Sequence, residues 1–308
     1  PLAVQVMDSD YLGVAGGTVR FEIVYGSGAL SASQVVTDFA GVAAVTLRLS
    51  DRPGAVQVRA SAFGTLTRTF TATARPAPVT SAAGVVHAAS FSRTVAPGSI
   101  ISIFGTGLAG GTAAAGSVPL PRELASAQVL FSGQPAPLLY ASPTQINAQV
   151  PFELAGAPSA ELRVSVLGVP SPAVVVPLVA AAPGVFTVSS DGRGAAVALH
   201  ADFSSVTAAS PARPGEIVAL FATGLGAVTP AVPSGTAAPS SPPATTTAVP
   251  AVQLGSAAAR VRFSGLAPGF VGLYQVNFEV PTGVAGDAVP LILALGGNTS
   301  NTVSLAVR

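Results

Sequence analysis

The chain has 308 residues, of which 49% are hydrophobic and only 9% are charged, and its formal net charge is +1. So few charges exclude the dense basic surface that nucleic-acid binding requires, and the hydrophobic content excludes an intrinsically disordered chain. There is no cysteine, which excludes disulfide bridges and thiolate metal sites. The longest apolar run, residues 173–186, contains Pro177 and Pro183, so no membrane-spanning helix is expected.

Short runs of alternating apolar and polar residues follow one another between frequent glycines and prolines. Alternation with a period of two, bounded by turn residues, is typical of half-buried antiparallel strands. In chain order, such runs lie at residues 19–23, 45–50, 56–59, 161–166 and 302–307. The sequence therefore predicts an all-β protein made of tandem, Ig-like antiparallel β-sandwiches.

Two parts of the chain resemble each other. Ala96–Leu108 (APGSIISIFGTGL) matches Arg213–Leu225 (RPGEIVALFATGL), and Gln145–Pro151 (QINAQVP) matches Gln275–Pro281 (QVNFEVP). The second copy is longer than the first, and its extra residues are expected in the Ser/Thr/Pro/Ala tract 234–250, which is predicted to be an exposed loop.

A Pro/Ala joint at residues 74–78 precedes the duplicated region. Joints of this composition act as semi-rigid spacers. We therefore predict three β-sandwich domains, at residues 1–76, 79–180 and 181–308, the last two being an internal duplication.

Several longer motifs lie within the duplicated region, at Val86–Phe91, Val95–Ser99, Pro137–Pro151 and Ala267–Asn277. These motifs resemble the Solibacter-type uncharacterised C-terminal domain, which occurs at the ends of large exported acidobacterial proteins. The resemblance covers residues 79–308. It implies a secreted or cell-surface location in a bacterium, and it implies no established activity.

The first part of the chain is similar to bacterial Ig-like domains of the invasin/intimin type, through Pro1–Asp8, Val14–Phe21, Thr37–Ala43 and Gly54–Ala60. Such domains usually have a strand before the Pro-Leu-x-Val-Gln-Val segment. Because this chain begins at that segment, the first sandwich is expected to lack an edge strand and the chain to be a piece of a longer precursor. An open edge leads to the hypothesis that a strand from another subunit pairs with it.

Gly105-x-Gly107-x-x-Gly110 follows an apolar run with the spacing of a dinucleotide-binding fingerprint. That fingerprint requires a helix that begins inside the motif and holds the pyrophosphate at its N-terminus. The residues that follow contain Gly116 and Pro119, which oppose a helix. The stretch is therefore interpreted as a strand and a turn, and no cofactor is predicted.

Catalytic and metal sites have little support. The histidines, His87 and His200, are interpreted as structural or surface residues at positions that do not correspond in the two copies, and no Gly-x-Ser-x-Gly elbow is present. Asp8 and Asp10 could supply oxygen ligands to Ca²⁺. They are interpreted as turn residues instead. We expect neither an enzyme nor a metal site.

A polar row recurs in both copies, and its members are Gln145, Asn147 and Gln149, and Gln275, Asn277 and Glu279. Alternation places each set on one face of a strand. Three roles stay open for these six tentative interface residues: a solvated face, contact with a neighbouring domain or subunit, and binding of a ligand such as a glycan.

These patterns predict a non-enzymatic extracellular or cell-surface structural or adhesive module, such as a stalk or surface-assembly region at the C-terminus of a large exported bacterial protein. One alternative is a subunit that self-assembles into an extracellular filament by strand exchange or domain stacking. Another is a carbohydrate-binding module. Protein partners or self-association are expected, whereas nucleic acid and a membrane-spanning segment are not.

Overall fold

A computed structural model describes residues 1–50 and 52–308 of the protein. These residues form strands, turns and one short 3-10 turn, η1 (Phe152–Leu154), and the named strands pair antiparallel. The predicted all-β fold with antiparallel sheets is confirmed. No helix among the described residues is long and apolar enough to cross a membrane. The chain divides into two compact units, Pro1–Ala77 and Pro78–Arg308.

The first unit packs short sheets around a small apolar core. Its strands are β1 (Leu2–Gln5), β2 (Thr18–Tyr25), β3 (Gly28–Leu30), β4 (Gln34–Val36), β5 (Val42–Val45), β6 (Leu47–Leu49), β7 (Gly54–Ala62) and β8 (Leu66–Ala74). One sheet has the order β4-β2-β7-β8, while β1 pairs with β5 and β3 with β6. Alternation along β2 and β7 turns Phe21 and Val58 into the core, as period-2 side-chain geometry requires.

Two of the edge strands of the first unit, β1 and β8, border a groove. Within the described residues, β1 pairs only with β5 and β8 only with β7. A groove of about 670 Å³ lies between these edges and is lined by Ala3–Met7 on one side and Leu66–Arg68 on the other. The expectation that this sandwich lacks an edge strand stays a prediction, and the unpaired side of β1 is where such a strand would add.

The first half of the second unit contains two sheets. Its strands are β9 (Val79–His87), β10 (Ile100–Thr106), β11 (Ala113–Ala114), β12 (Ala127–Phe131), β13 (Gln134–Pro135), β14 (Leu138–Ala141), β15 (Gln145–Gln149), β16 (Ser159–Val166), β17 (Val169–Pro170) and β18 (Val174–Pro177). One sheet has the order β11-β14-β15-β10-β9 and the other β13-β12-β16-β17, with β18 also on β16. Fully buried side chains such as Ile101, Phe131 and Leu162 fill the core of this half.

The second half has a core of its own. Its strands are β19 (Gly184–Val185), β20 (Ala198–Leu199), β21 (Ile217–Thr223), β22 (Val228–Thr229), β23 (Thr245–Thr246), β24 (Ala251–Leu254), β25 (Ala257–Leu266), β26 (Tyr274–Glu279), β27 (Gly286–Leu295), β28 (Asn298–Thr299) and β29 (Val303–Val307). Residues 257–259 of β25 pair with β24, and its later residues pair with β26. The single strand β25 therefore pairs with both β24 and β26. Tyr274 and Phe278 are buried in the one core of this half. The last strand, β29, pairs with β27 of the same half.

The two halves of the second unit are joined by a loop of the second half, residues 233–236. The Ser234 hydroxyl accepts a hydrogen bond from the Phe152 N–H (2.8 Å) and donates one to Glu153 Oε2 (2.6 Å). The Gly235 N–H donates to Gln149 Oε1 at 2.7 Å. The expectation of an exposed loop over residues 234–250 is therefore wrong for these buried residues, because they satisfy polar groups of the first half.

Further residues of the tract are also buried, namely Ala238, Ala244, Thr246 and Pro250. Residues 78–308 form one compact unit, without a boundary near residue 180. The predicted division into separate domains at that point therefore stays a prediction. The separate cores of the two halves are the feature on which it depends.

The repeated segments occupy equivalent strands. In the first half, β10 lies between β9 and β15, and in the second half β21 lies between β20 and β26. Val86 and Leu199 lie opposite the corresponding residues Ser102 and Ala219. The next residues along the chain are the two histidines. The interpretation of these histidines as non-equivalent is therefore wrong. It failed because the spacing between the copies changes along the chain.

The glycines of the apparent nucleotide-binding motif serve backbone packing. A Cβ at Gly105 would lie 2.1 Å from the Val79 carbonyl oxygen, since β9 passes directly over that position. Gly107 has a φ of +65°, which favours glycine. The Gly110 N–H donates to the Ala125 carbonyl at 2.8 Å. The residues from Gly107 to Gly116 form turns and one short strand, as a strand-and-turn interpretation predicts.

Candidate functional site, a duplicated aromatic and amide surface

The same arrangement of side chains appears on one sheet of each half of the second unit. Phe104 lies directly opposite Gln145 on neighbouring strands, and Phe221 lies directly opposite Gln275. Two residues further along each strand, and therefore on the same face, Ser102 lies opposite Asn147 and Ala219 opposite Asn277. We call the six residues Phe104, Gln145, Asn147, Phe221, Gln275 and Asn277 the aromatic–amide face.

The amides of this face are held in the same way in both halves. Gln145 Nε2 donates a hydrogen bond to Asn147 Oδ1 at 2.9 Å, and Gln275 Nε2 donates to Asn277 Oδ1 at 2.8 Å. In the first half, the Ser102 hydroxyl also donates to Asn147 Oδ1, at 3.1 Å. Among the described residues, neither asparagine Nδ2 nor either glutamine Oε1 of the face has a side-chain partner. Each half therefore presents one amide donor and one amide acceptor beside a phenyl ring.

An apolar cleft of about 750 Å³ adjoins the second-half side of the face. Phe203 and Phe270 flank it with 83% and 58% of their surface exposed, and Phe186 and Phe221 also line it. Phe203 has a φ of +66°, in a tight turn closed by its N–H and the His200 carbonyl. This unusual backbone holds the ring outward instead of in the core.

A smaller cleft of about 430 Å³ adjoins the first-half side, where Phe104, Gln145 and Asn147 line it together with Phe91. Phe91 also has a positive φ, +57°, and its N–H bonds the His87 carbonyl, as in the corresponding turn of the second half. The two clefts share Phe186, Thr187 and Ser190. They therefore form one continuous surface, and no charged residue of the part of the chain that the structure describes lines either cleft.

The third members of the polar row have diverged. Gln149 is 1% exposed and binds the Gly235 N–H of the other half. Glu279, at the corresponding position of β26, is half-buried and forms an ion pair with Arg262. The structure thus brings Gln145 and Asn147 to one cleft and Gln275 to the other, while it places Gln149 between the halves. The predicted interface role of the six residues stays a prediction.

The two histidines lie outside the clefts and differ in environment. The His87 ring is fully buried and packs against backbone of the second half, since a Cβ at Gly184 would lie 2.1 Å from His87 Cε1. Burial lowers the pKa of His87 from 6.5 to about 4, although the Thr223 and Ala182 carbonyls partly oppose this shift. A hydrogen bond that the His200 ring donates to the Glu216 carboxylate instead raises the pKa of His200. His87 is therefore neutral at pH 7.

The carboxylates that could bind a metal form hydrogen bonds within the protein instead. Asp8 Oδ1 accepts hydrogen bonds from the N–H groups of Asp10 and Leu12, both at 2.9 Å, which is the local bonding typical of a turn. No group of three or more potential metal-ligating side chains occurs in the part of the chain that the structure describes. At Glu153, burial favours the neutral carboxyl, but hydrogen bonds from Ser234 and the charge of Arg122 hold the pKa below its usual range.

The sequence interpretation found the amides of the face and missed its aromatic residues. A signal for one pair was present, because Phe104 and Phe221 occupy the same position in the two repeated segments. Phe186, Phe203 and Phe270 lie outside those segments, in stretches where the two copies differ in length. No periodicity marks such residues as exposed.

No protein-family model matches the chain, and no curated protein matches it. Among solved structures, the D0-D1 domain of intimin is 18% identical, with 56% of this chain and 87% of that chain covered and a TM-score of 0.23. The SGBP-B protein of the Bacteroides ovatus mixed-linkage glucan utilization locus, in complex with a mixed-linkage heptasaccharide, is 10% identical, with 99% and 63% covered and a TM-score of 0.32. Domains 5-6 of the S-layer protein SbsC are 14% identical, with 75% and 98% covered and a TM-score of 0.24.

This chain spans less than two thirds of the SGBP-B chain. With TM-scores well under 0.5, these likenesses carry no conclusion about what the chain binds. The resemblance to invasin/intimin-type domains has a counterpart in the intimin match, whereas the Solibacter-type resemblance stays a prediction.

Proposed function

We propose that the protein is a non-enzymatic binding module of a bacterial exterior, secreted or held at the cell surface, and that its second unit binds its partner through the aromatic–amide face. The observation that carries this proposal is the repetition of one arrangement, Phe opposite Gln with Asn beside it, next to an apolar cleft in each half. Exposed apolar patches of this kind on soluble proteins mark interaction sites.

The chemistry of the face supports binding over catalysis. Its polar groups are amides and hydroxyls, which neither gain nor lose a proton near neutral pH. The two histidines, His87 and His200, are engaged elsewhere: one is buried against Gly184 and the other pairs with Glu216. The face therefore offers contacts without an acid, a base or an activated nucleophile.

Retention of the labelled full-length chain on bacterial cells and their extracellular matrix tests this proposal. We expect the wild-type chain to be retained, and the double variant Phe203→Ala, Phe270→Ala to be retained at least fivefold less, because both exposed rings flank the larger cleft. The matched control is Phe39→Ala, since Phe39 is 99% exposed and lies in the first unit. Equal retention of the wild type and the double variant would contradict the proposal.

A second candidate function is a subunit of a self-assembling extracellular filament. The open edges of β1 and β8 and the groove of about 670 Å³ between them favour it. An unpaired strand edge exposes backbone N–H and C=O groups to which another strand can add.

A further inference from the structure

We propose that the aromatic–amide face binds a neutral oligosaccharide chain that spans both clefts. This inference rests on the proposed function, because it names the class of ligand that the same face takes. Three features of the described residues support it: the lack of charge, the pairing of rings with amides, and the duplication.

The lack of charged residues in the two clefts indicates an uncharged ligand. No arginine, aspartate, glutamate or histidine lines either cleft. A charged ligand that entered an uncharged apolar cleft would lose hydration without gaining an opposite charge. Anionic polysaccharides, nucleic acids and charged peptides are therefore poor ligands for this surface, and a neutral ligand suits it.

The pairing of rings with amides matches the two kinds of surface on a sugar. A pyranose ring has an apolar C–H face that packs on a phenyl ring, and hydroxyl groups at its edge that both donate and accept hydrogen bonds. In each half, a Phe lies directly opposite a Gln whose Oε1 can accept, and the adjacent Asn has an Nδ2 that can donate. One acceptor and one donor beside a ring satisfy neighbouring hydroxyls of one sugar unit.

The duplication indicates a ligand that repeats along its length. The two halves have the same strand register, with Phe opposite Gln, and their clefts meet at Phe186 and Thr187. A polysaccharide presents the same chemical unit at regular intervals, so one chain can occupy both clefts in the same way. A peptide would need a repetitive sequence to do so. Occupation of the second cleft by an already bound chain is intramolecular and therefore raises the affinity strongly.

Titration calorimetry of the full-length chain tests this inference with cello-, laminari-, manno- and xylo-oligosaccharides of two and six units. We expect at least one six-unit probe to bind at least tenfold more tightly than its two-unit form. Two double variants, Gln145→Ala with Asn147→Ala and Gln275→Ala with Asn277→Ala, are each expected to remove most of this gain, because each removes the amide side chains of one half of the aromatic–amide face. Phe39→Ala is expected to leave it unchanged.

Binding should also persist at high salt, since no ion pair contributes to it. Absence of binding by all of these probes overturns the oligosaccharide inference, and so does affinity that is unaffected by both double variants. Equal affinity for two and six units overturns the spanning of two clefts. If cell retention still depends on Phe203 and Phe270 while no probe binds, the proposed binding function stands and its ligand belongs to another class.

Discussion

His87 and His200 lie at the same register of two related sheets, yet their rings meet opposite surroundings. His87 is covered by the backbone of Gly184 and Gly224, and its Nε2 has no hydrogen-bond partner among the described residues. His200 lies near the surface and bonds Glu216 and the Ser210 carbonyl. Burial opposes the imidazolium at the first position, and a carboxylate stabilises it at the second.

We predict that the free energy of unfolding falls as the pH drops from 6.5 towards 4, because unfolded His87 binds a proton that the folded, buried ring excludes down to about pH 4. A shift of this size corresponds to about 3 kcal/mol over the whole window. Urea denaturation between pH 7.5 and 4.5 measures it, and His87→Gln is expected to flatten the dependence.

His200 provides the control at the equivalent position. Its folded pKa is raised, so its contribution to stability is present below pH 6.5 and is lost as the pH rises through the raised pKa. His200→Gln should therefore leave the loss of stability between pH 6.5 and 4.5 in place. An identical slope for the wild type and His87→Gln over that window would show that the buried ring does not cause the effect.

At the scale of single elements, β15 and β26 show how one strand serves two purposes in the two copies. The first two polar positions are alike, and the third is a buried Gln149 in β15 and a half-buried Glu279 in β26. The strand register explains the likeness. The loop at Ser234–Gly235 explains the difference, because its Gly235 N–H bonds Gln149 of β15, whereas Glu279 of β26 pairs with Arg262.

Substitution at these two positions should have unequal costs. Gln149→Ala leaves the buried Gly235 N–H without an acceptor, which costs about 1–3 kcal/mol. Glu279→Ala removes a surface ion pair with Arg262, which costs less than about 1 kcal/mol. Urea denaturation of the full chain measures both. Equal and small effects would mean that the loop does not hold the two halves together.

The strand register is also where sequence interpretation succeeded and failed. Alternation marked β2, β7 and β16, each of which buries one face, and it marked β29, whose last three residues are all buried. It did not show that the single strand β9 corresponds to two short strands, β19 and β20, separated by residues 186–197. That insertion supplies Phe186 to the clefts. An insertion changes the spacing on which any comparison of two copies depends, so its residues could not be predicted.

At the scale of the whole molecule, the question is whether copies of the chain associate through the first unit. The chain contains no lysine, and its 13 acidic residues are few for its length. Edge strands are commonly protected by charge, and β1 carries no charged residue. The larger part of the fold was predictable from pattern because strands alternate, whereas partners of open edges leave no periodic signal.

If the filament function holds, sedimentation and electron microscopy of the wild-type chain at high concentration should show extended assemblies. Leu66→Arg should reduce them at least tenfold, because Leu66 lines the groove and is half exposed, so a charge there opposes docking of a strand. Val175→Arg places the same charge on an exposed residue of the second unit and should have no effect. A wild-type chain that stays monomeric would exclude assembly through this edge.

The loop that joins the halves of the second unit also dictates an order of folding. Gln149 and Phe152 can reach their partners only after residues 234 and 235 have been synthesised, and Ile100 can reach Thr223 only after that residue has been synthesised. Contacts so distant along the chain form slowly. When the first half has been synthesised, some of its amide and backbone groups that are buried in the native unit are therefore still exposed to water. The native unit closes late, from its C-terminal side.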